Sequence, residues 1–134
     1  MKFYAVIDTN VLVSAVIKPD SVPGIILKLV FYGELRPVFD SKILGEYEMV
    51  LLRPKFGLAE SEVDDIIGAL EAAGDNIRSR KLDVQFTDIE DKKFYEVFSE
   101  KRRDNETYLI TGNIKHFPED EHIVTPRQML DIMI

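Results

Sequence analysis

Residues 3–7 read Phe-Tyr-Ala-Val-Ile, and Asp8-Thr9-Asn10 follow at once. No other stretch restricts the fold as much. A continuous apolar run this short, rich in β-branched and aromatic side chains, suits a strand buried on both faces, as inside a parallel sheet. Asp, Thr and Asn favour helix N-caps. Val11-Leu12-Val13 and Ala15-Val16-Ile17 continue as a buried helix, stopped by Pro19. Asp8 therefore stands where a buried strand ends and a helix begins.

The alternation recurs along the chain. Ser21-Val22-Pro23 opens a helix with Ile25, Ile26, Leu29 and Val30 at helical spacing and Gly33 as its C-cap. Residues 37–39 read as a short strand. Asp40-Ser41 cap a helix through Ile43, Leu44, Tyr47, Val50 and Leu51, and Pro54 ends it. Residues 61–73 form an amphipathic helix with Val63, Ile66, Ile67 and Leu70 as its apolar stripe. Its acids, Glu60, Glu62, Asp64, Asp65 and Glu71, read as a solvated face. Residues 77–86 are ambiguous between a short strand and a loop. Residues 88–101 read as one helix with Phe94, Tyr95, Val97 and Phe98 inward. Residues 107–111 read as a strand ended by Gly112-Asn113, residues 123–125 as a last strand, and Pro126 as the first turn of a terminal helix.

Short apolar strands alternating with helices predict an α/β domain around a mostly parallel sheet. The 134 residues suit one domain, spanning 1–134, with a core of its own. In such sheets ligands bind beyond the carboxyl ends of the strands. Asp8 and the Thr111-Gly112-Asn113 turn both lie at such ends.

Composition decides which chemistries that rim can carry. With no cysteine, thiolate metal sites, disulfides and cysteine nucleophiles are excluded, and two histidines cannot build a three-histidine site. A metal would be held largely by oxygen. The 24 acids and 17 Lys and Arg give a net charge of −7, which argues against gripping nucleic acid by bulk positive charge. It does not argue against a grip through metal ions. Asp8 cuts the N-terminal apolar run short, so no signal peptide is expected, and no stretch reaches the roughly 18 apolar residues of a membrane span. The expectation is a cytoplasmic protein with no membrane association.

Several residues at the rim have two readings each. A carboxylate after a buried strand is costly to desolvate unless it caps a helix, accepts hydrogen bonds or binds a cation, and Asp8 fits each case. Asn10 could serve the local backbone. Glu46 flanks the buried stripe of its helix, as a boundary ion pair or as a site residue, whereas Glu48 points outward. Asp88 and Glu90 suit a helix first turn by capping and dipole. Asp91 lies three residues before Phe94, on the side of the inward aromatics, where a carboxylate needs a reason. Thr111 and Asn113 are neutral oxygen donors suited to ordering a water or touching a phosphate. His116 and His122 read as surface or loop residues.

These segments resemble a known family. Val6-Ile7-Asp8-Thr9-Asn10-Val11-Leu12-Val13-Ser14 is similar to the opening of PIN-domain nucleases. Glu46 before Val50-Leu51, Asp88-x-Glu90-Asp91-x-x-Phe94, and Tyr108-Leu109-Ile110-Thr111-Gly112-Asn113-x-Lys115-His116-Phe117 follow in family order and spacing. The resemblance covers nearly the whole chain. Its length and tail resemble the VapC-like toxins of toxin–antitoxin pairs.

The resemblance implies a three-layer α/β/α fold and a metal-dependent endoribonuclease. The family's principal acids fall on Asp8, Glu46 and Asp91, which would hold Mg²⁺ or Mn²⁺. The strand-end motif falls on Thr111 and Asn113, with Asn113 reaching the metal through water or orienting the nucleophile. Asn10 and Ser14 match positions that shape the site. Many members carry a fourth Asp near this strand; here Thr107 stands before Tyr108 and Asn113 stands where an acid is common, leaving three carboxylates. Converging carboxylates repel one another unless a cation lies between them, and hard divalent ions prefer oxygen. Lys101-Arg102-Arg103, Lys115 and Arg53 are available to help hold RNA. The implied partners are an RNA substrate, a cognate antitoxin and a second copy of the chain in a homodimer. Two alternatives stay open: a catalytically inactive PIN-like RNA-binding or regulatory protein, and another metal-dependent phosphoesterase on a similar scaffold.

Overall fold

The computed structural model describes residues 3–134; Met1 and Lys2, which begin the N-terminal stretch read above, lie outside them. Strand β1 (Phe3–Ile7) leads through Asp8 into helix α1 (Thr9–Ile17), and α2 (Val22–Phe31) follows. The Ser21 side chain accepts from the Gly24 N–H to cap α2, and Gly33, at φ 83°, makes the left-handed turn into β2 (Leu35–Phe39). Asp40 caps α3 (Ser41–Leu51) by accepting from the Ile43 N–H at 2.8 Å. Helix α4 (Glu60–Ala73) and strand β3 (Asp75–Asn76) come next. Helix α5 (Lys92–Lys101), β4 (Thr107–Ile110), β5 (Ile123–Val124) and α6 (Pro126–Met133) complete the chain.

The strands form one sheet in the order β3-β2-β1-β4-β5, with every pairing parallel among the described residues. Helices flank the sheet in a three-layer α/β/α arrangement. Helix α5 packs against β1, β2 and β4, while α2 and α4 pack on β2. Ala5, Val6 and Ile7 are buried, as are Val38, Phe39, Leu109 and Ile110, so the central strands are covered on both faces as their unbroken apolar runs require. No single helix among the described residues is long and apolar enough to cross a membrane.

Two expectations need correction. The helix expected over residues 88–101 starts as a 3-10 turn, Ile89–Asp91, and becomes α-helical only at Lys92. Asp88 caps that turn, accepting from the Glu90 N–H at 3.0 Å, and Asp91 falls at the junction. Residues 77–86 hold no regular structure; the strand they suggested is the two-residue β3 just before them. Gly74 explains why β3 can sit there. A Cβ on Gly74 would lie 2.3 Å from the Pro37 carbonyl oxygen and 2.6 Å from the Phe39 ring, so only glycine lets the chain approach β2 this closely.

Candidate active site

From β1 the chain winds outward to β2 and β3, then returns to lay β4 on the other side of β1. The order reverses between β1 and β4, and the carboxyl ends of that pair open the crevice where ligands bind in sheets of this type. Asp8 follows β1 and Thr111 follows β4. The Asp8 N–H donates to the Ile110 carbonyl at 2.9 Å, tying the two ends together. Thr111, fully buried, donates its hydroxyl to Asp8 Oδ2 at 2.7 Å, and the Asn113 N–H donates to Thr111 Oγ1 at 3.0 Å. Asp8 stands at the N-cap of α1, yet its side chain completes no capping hydrogen bond. Its carboxylate is instead fastened across the sheet to Thr111, with the Thr9 and Asn10 N–H groups at the start of α1 as weaker stabilising neighbours.

Glu46 arrives from a different direction. Tyr47, buried among the apolar residues of α3, donates its hydroxyl to the Ile7 carbonyl at the last residue of β1. That bond pins α3 to the rim and leaves the half-buried Glu46 facing the crevice. Both its oxygens are engaged: Oε2 accepts from the Thr9 hydroxyl, and Oε1 pairs with Lys93 Nζ at 2.6 Å. Lys93 also reaches Glu90, its carboxylate at 3.1 Å and its carbonyl at 2.6 Å.

Asp91 comes from the third segment. Its Oδ2 is buried without a hydrogen-bond partner. His116 Nδ1 lies 3.4 Å away, near enough for attraction when protonated but not aligned for a hydrogen bond.

Asp8, Glu46 and Asp91 line one cavity of about 380 Å³, with Asp88 and Glu90 also on its wall and Arg53 the basic residue beside them. Burial pushes the Asp8 carboxyl above its ordinary range; the Thr111 hydroxyl holds it down in part, and the Glu46 charge adds to the rise. Asp91 is raised by burial first, then by the charges of Asp8 and Asp88, with His116 offsetting some of it. Burial, followed by Asp8, Glu46 and Asp40, pushes the Tyr47 phenol well above 10.0, so it stays a donor. Burial alone would lower the Lys93 ammonium, but its hydrogen bonds to Glu46 and Glu90 outweigh that and raise it.

Among the described residues, no three acidic or imidazole side chains close around a single point as they stand. The donors nevertheless fit a hard divalent ion. They are carboxylate oxygens, Glu46 raises Asp8 and Asp8 in turn raises Asp91, and Asp91 offers an oxygen with no other partner. Mg²⁺ keeps several waters and needs only one or two carboxylates. Of the three acids, Glu46 is held by Thr9 and Lys93 and Asp8 by Thr111, while Asp91 Oδ2 has no partner.

The other expected site residues divide. Asn10 is exposed and lines the cavity, and Thr111 lies beneath it as the support of Asp8. Ser14, one turn further along α1, is exposed and is not among the lining residues; neither is the exposed Asn113. Sequence reasoning missed Lys93. Its signal was the Glu90-to-Lys93 spacing, which puts the ammonium over its own first turn. It also read His116 only as a loop residue. Of the basic residues expected to hold RNA, Lys101 pairs with Asp75 at 3.1 Å and Arg102 with Asp120, so both are taken by structural ion pairs. Arg53 is at the cavity.

Residues 4–115 match the family model described as PIN domain. The chain is also 31% identical over 116 residues to a Methanocaldococcus jannaschii protein described as "Uncharacterized protein MJ1680", covering 84% of this chain and 72% of that protein. No solved structure matches the chain significantly.

Proposed function

The chain belongs to the PIN-domain family, a nuclease-type fold, and from that premise we propose that it is a metal-dependent endoribonuclease hydrolysing RNA phosphodiester bonds with Mg²⁺ or Mn²⁺. One observation carries the reading: three acids from three distant segments, Asp8, Glu46 and Asp91, line one cavity at the point where the strand order reverses. Asp8 and Asp91 would hold the ion. When bound, such an ion supplies an activated water and neutralises charge gathering on the phosphate. Thr111 fixes the Asp8 carboxylate through a buried, charge-assisted hydrogen bond. Thr9 and Lys93 fix Glu46, and the Tyr47 hydroxyl keeps α3 docked on β1. Asn10, at the mouth of the cavity, presents an amide to the substrate.

The biological role we propose is the toxin of a toxin–antitoxin pair, acting in the cytoplasm as a homodimer restrained by a cognate antitoxin. A second reading, a catalytically inactive PIN-like RNA-binding or regulatory protein, is favoured by one feature: Asn113 stands where an acid is common and lies outside the cavity lining. RNA cleavage with added Mg²⁺ or Mn²⁺ separates the two. The wild type is expected to cleave, and Asp8→Asn to lose at least about a hundredfold in rate, the scale of removing one charge-stabilising group from a reaction centre. Asparagine can still accept from Thr111, so the fold should persist. Full activity of Asp8→Asn at saturating Mg²⁺ would sink the assignment, and no cleavage by the wild type would favour the inactive reading.

A further inference from the structure

A second cavity, of about 510 Å³, opens on the same rim of the sheet, beyond the ends of β2 and β3. Its wall carries Lys42, Arg78, Lys81 and Lys93. Lys93 is committed to Glu46 and Glu90, but Lys42, Arg78 and Lys81 are exposed and make no ion pair among the described residues. The two acids on this wall are engaged with the backbone: Asp40 caps α3, and Glu96 accepts from the Leu82 N–H at 2.7 Å. A third hollow, of about 330 Å³, joins the two sites. It shares Lys42 and Lys81 with the basic cavity and Glu90 with the acidic one, and adds Lys92. The three hollows make one trough along the carboxyl rim, basic at one end and acidic at the other.

We propose that this basic trough, built on Lys42, Arg78 and Lys81, binds the backbone phosphates of a single-stranded RNA and leads the strand to the acidic cavity. The proposal rests on the nuclease reading for its substrate but stands on separate residues. Free ammonium and guanidinium groups without partners are the chemistry of phosphate binding. The concave shape favours a flexible single strand, since a stiff duplex would rest on the rims. Aromatic side chains are absent from the wall of the basic cavity, so contacts run to phosphate instead of stacked bases and recognition there is sequence-tolerant. The basic residues on the opposite rim do not serve: Lys101 and Arg102 are paired, and Arg103 precedes β4 at its amino end.

The test is binding of a fluorescent single-stranded RNA oligonucleotide to the full chain in EDTA, followed by anisotropy over a salt series. The triple variant Lys42→Gln, Arg78→Gln, Lys81→Gln should lose at least tenfold in affinity at fixed salt. Three lost phosphate contacts should flatten the slope of log affinity against log salt by about 2. A control triple with the same charge change, Lys28→Gln, Arg103→Gln, Arg127→Gln, should keep the wild-type slope. All six residues are exposed, so melting temperatures should stay in place. A trough variant that binds with the wild-type slope, a control that loses as much as the trough variant, or a wild type that binds no RNA overturns the proposal. RNA binding through the trough with no cleavage under Mg²⁺ or Mn²⁺ would sink the nuclease reading alone. Cleavage by the trough variant with unchanged KM would sink the trough alone.

Discussion

Asp91→Asn distinguishes an acid that waits for a cation from one that merely begins a helix. The Asp91 carboxylate is partly buried, lacks a hydrogen bond at Oδ2, and feels Asp8 and Asp88. Removing its charge should relieve that repulsion, so the variant should melt no lower than wild type in EDTA. Saturating metal should then stabilise only the wild type. At about 100 times the dissociation constant the gain is roughly 2.7 kcal/mol. With an unfolding entropy near 2.1 cal/mol/K per residue, 134 residues give about 0.28 kcal/mol/K. The expected rise is therefore roughly 10 °C for wild type, most of it lost in the variant. The pH dependence runs the same way. Asp8 and Asp91 both have raised folded-state pKa values, so the folded chain holds its protons longer than the unfolded one. Their contribution to stability is complete below the ordinary carboxyl range and is lost as pH rises through the raised folded values. Asp91→Asn should flatten that loss in EDTA. The assay is thermal unfolding of both proteins from pH 4 to 8, with EDTA or Mn²⁺. Helix-dipole stabilisation predicts the opposite: the variant loses about 0.3–1 kcal/mol in EDTA, and metal changes neither protein. That result would return Asp91 to a structural role and remove the support for a metal site.

Thr111→Val deletes the buried hydroxyl that holds Asp8 and should cost about 1.5–3 kcal/mol, the range for a hydrogen bond to a charged group, read by urea unfolding; a loss under about 0.5 kcal/mol would mean the bond does not hold Asp8. Gly74→Ala puts a methyl group 2.3 Å from a backbone oxygen and should destabilise by at least about 1–3 kcal/mol while loosening the β2–β3 edge, visible as faster amide exchange at Ile77, whose N–H donates to the Phe39 carbonyl; unchanged stability would show that β3 does not pack against β2 this closely.

The sequence was most legible where one short range of residues determines the outcome. The run of residues 3–7 can hardly be anything but a buried strand, and Asp40 and Ser21 cap α3 and α2 as their spacing requires. The acids of α4 are exposed, in keeping with a solvated face. Less legible were features settled by distant partners. Nothing near Asp8 in sequence says that its carboxylate is held by Thr111, 103 residues away. Nothing near Glu46 says that Thr9 and Lys93 occupy both its oxygens. The segment 77–86 alternates Leu82, Val84 and Phe86 with polar residues as a strand would, yet it holds no regular structure and places Arg78 and Lys81 on the trough. Lys101 and Arg102 read as available to RNA, although both are paired, because a sequence shows charges and not their counter-ions.

That last point bears on how a chain of net charge −7 can take an RNA at all. Total charge governs attraction at long range, but at physiological salt exposed charges are screened over about 8 Å. Contact therefore depends on the charges within that distance of the strand. The exposed acids of α4 belong to a helix that packs on α2, α3 and β2, while Asp75 and Asp120 spend their charge on Arg36, Lys101 and Arg102. The rim is left with unpaired cations at one end and crowded carboxylates at the other. The cations attract phosphate without help; the carboxylates repel it until a divalent ion cancels the charge of Asp8 and Asp91 and offers the phosphate oxygens a ligand. RNA affinity should thus divide into a metal-independent part set by Lys42, Arg78 and Lys81 and a metal-dependent part set by Asp8 and Asp91. Added Mg²⁺ should strengthen binding in the wild type and, by the same increment, in the trough variant, because the two sets of residues share no member.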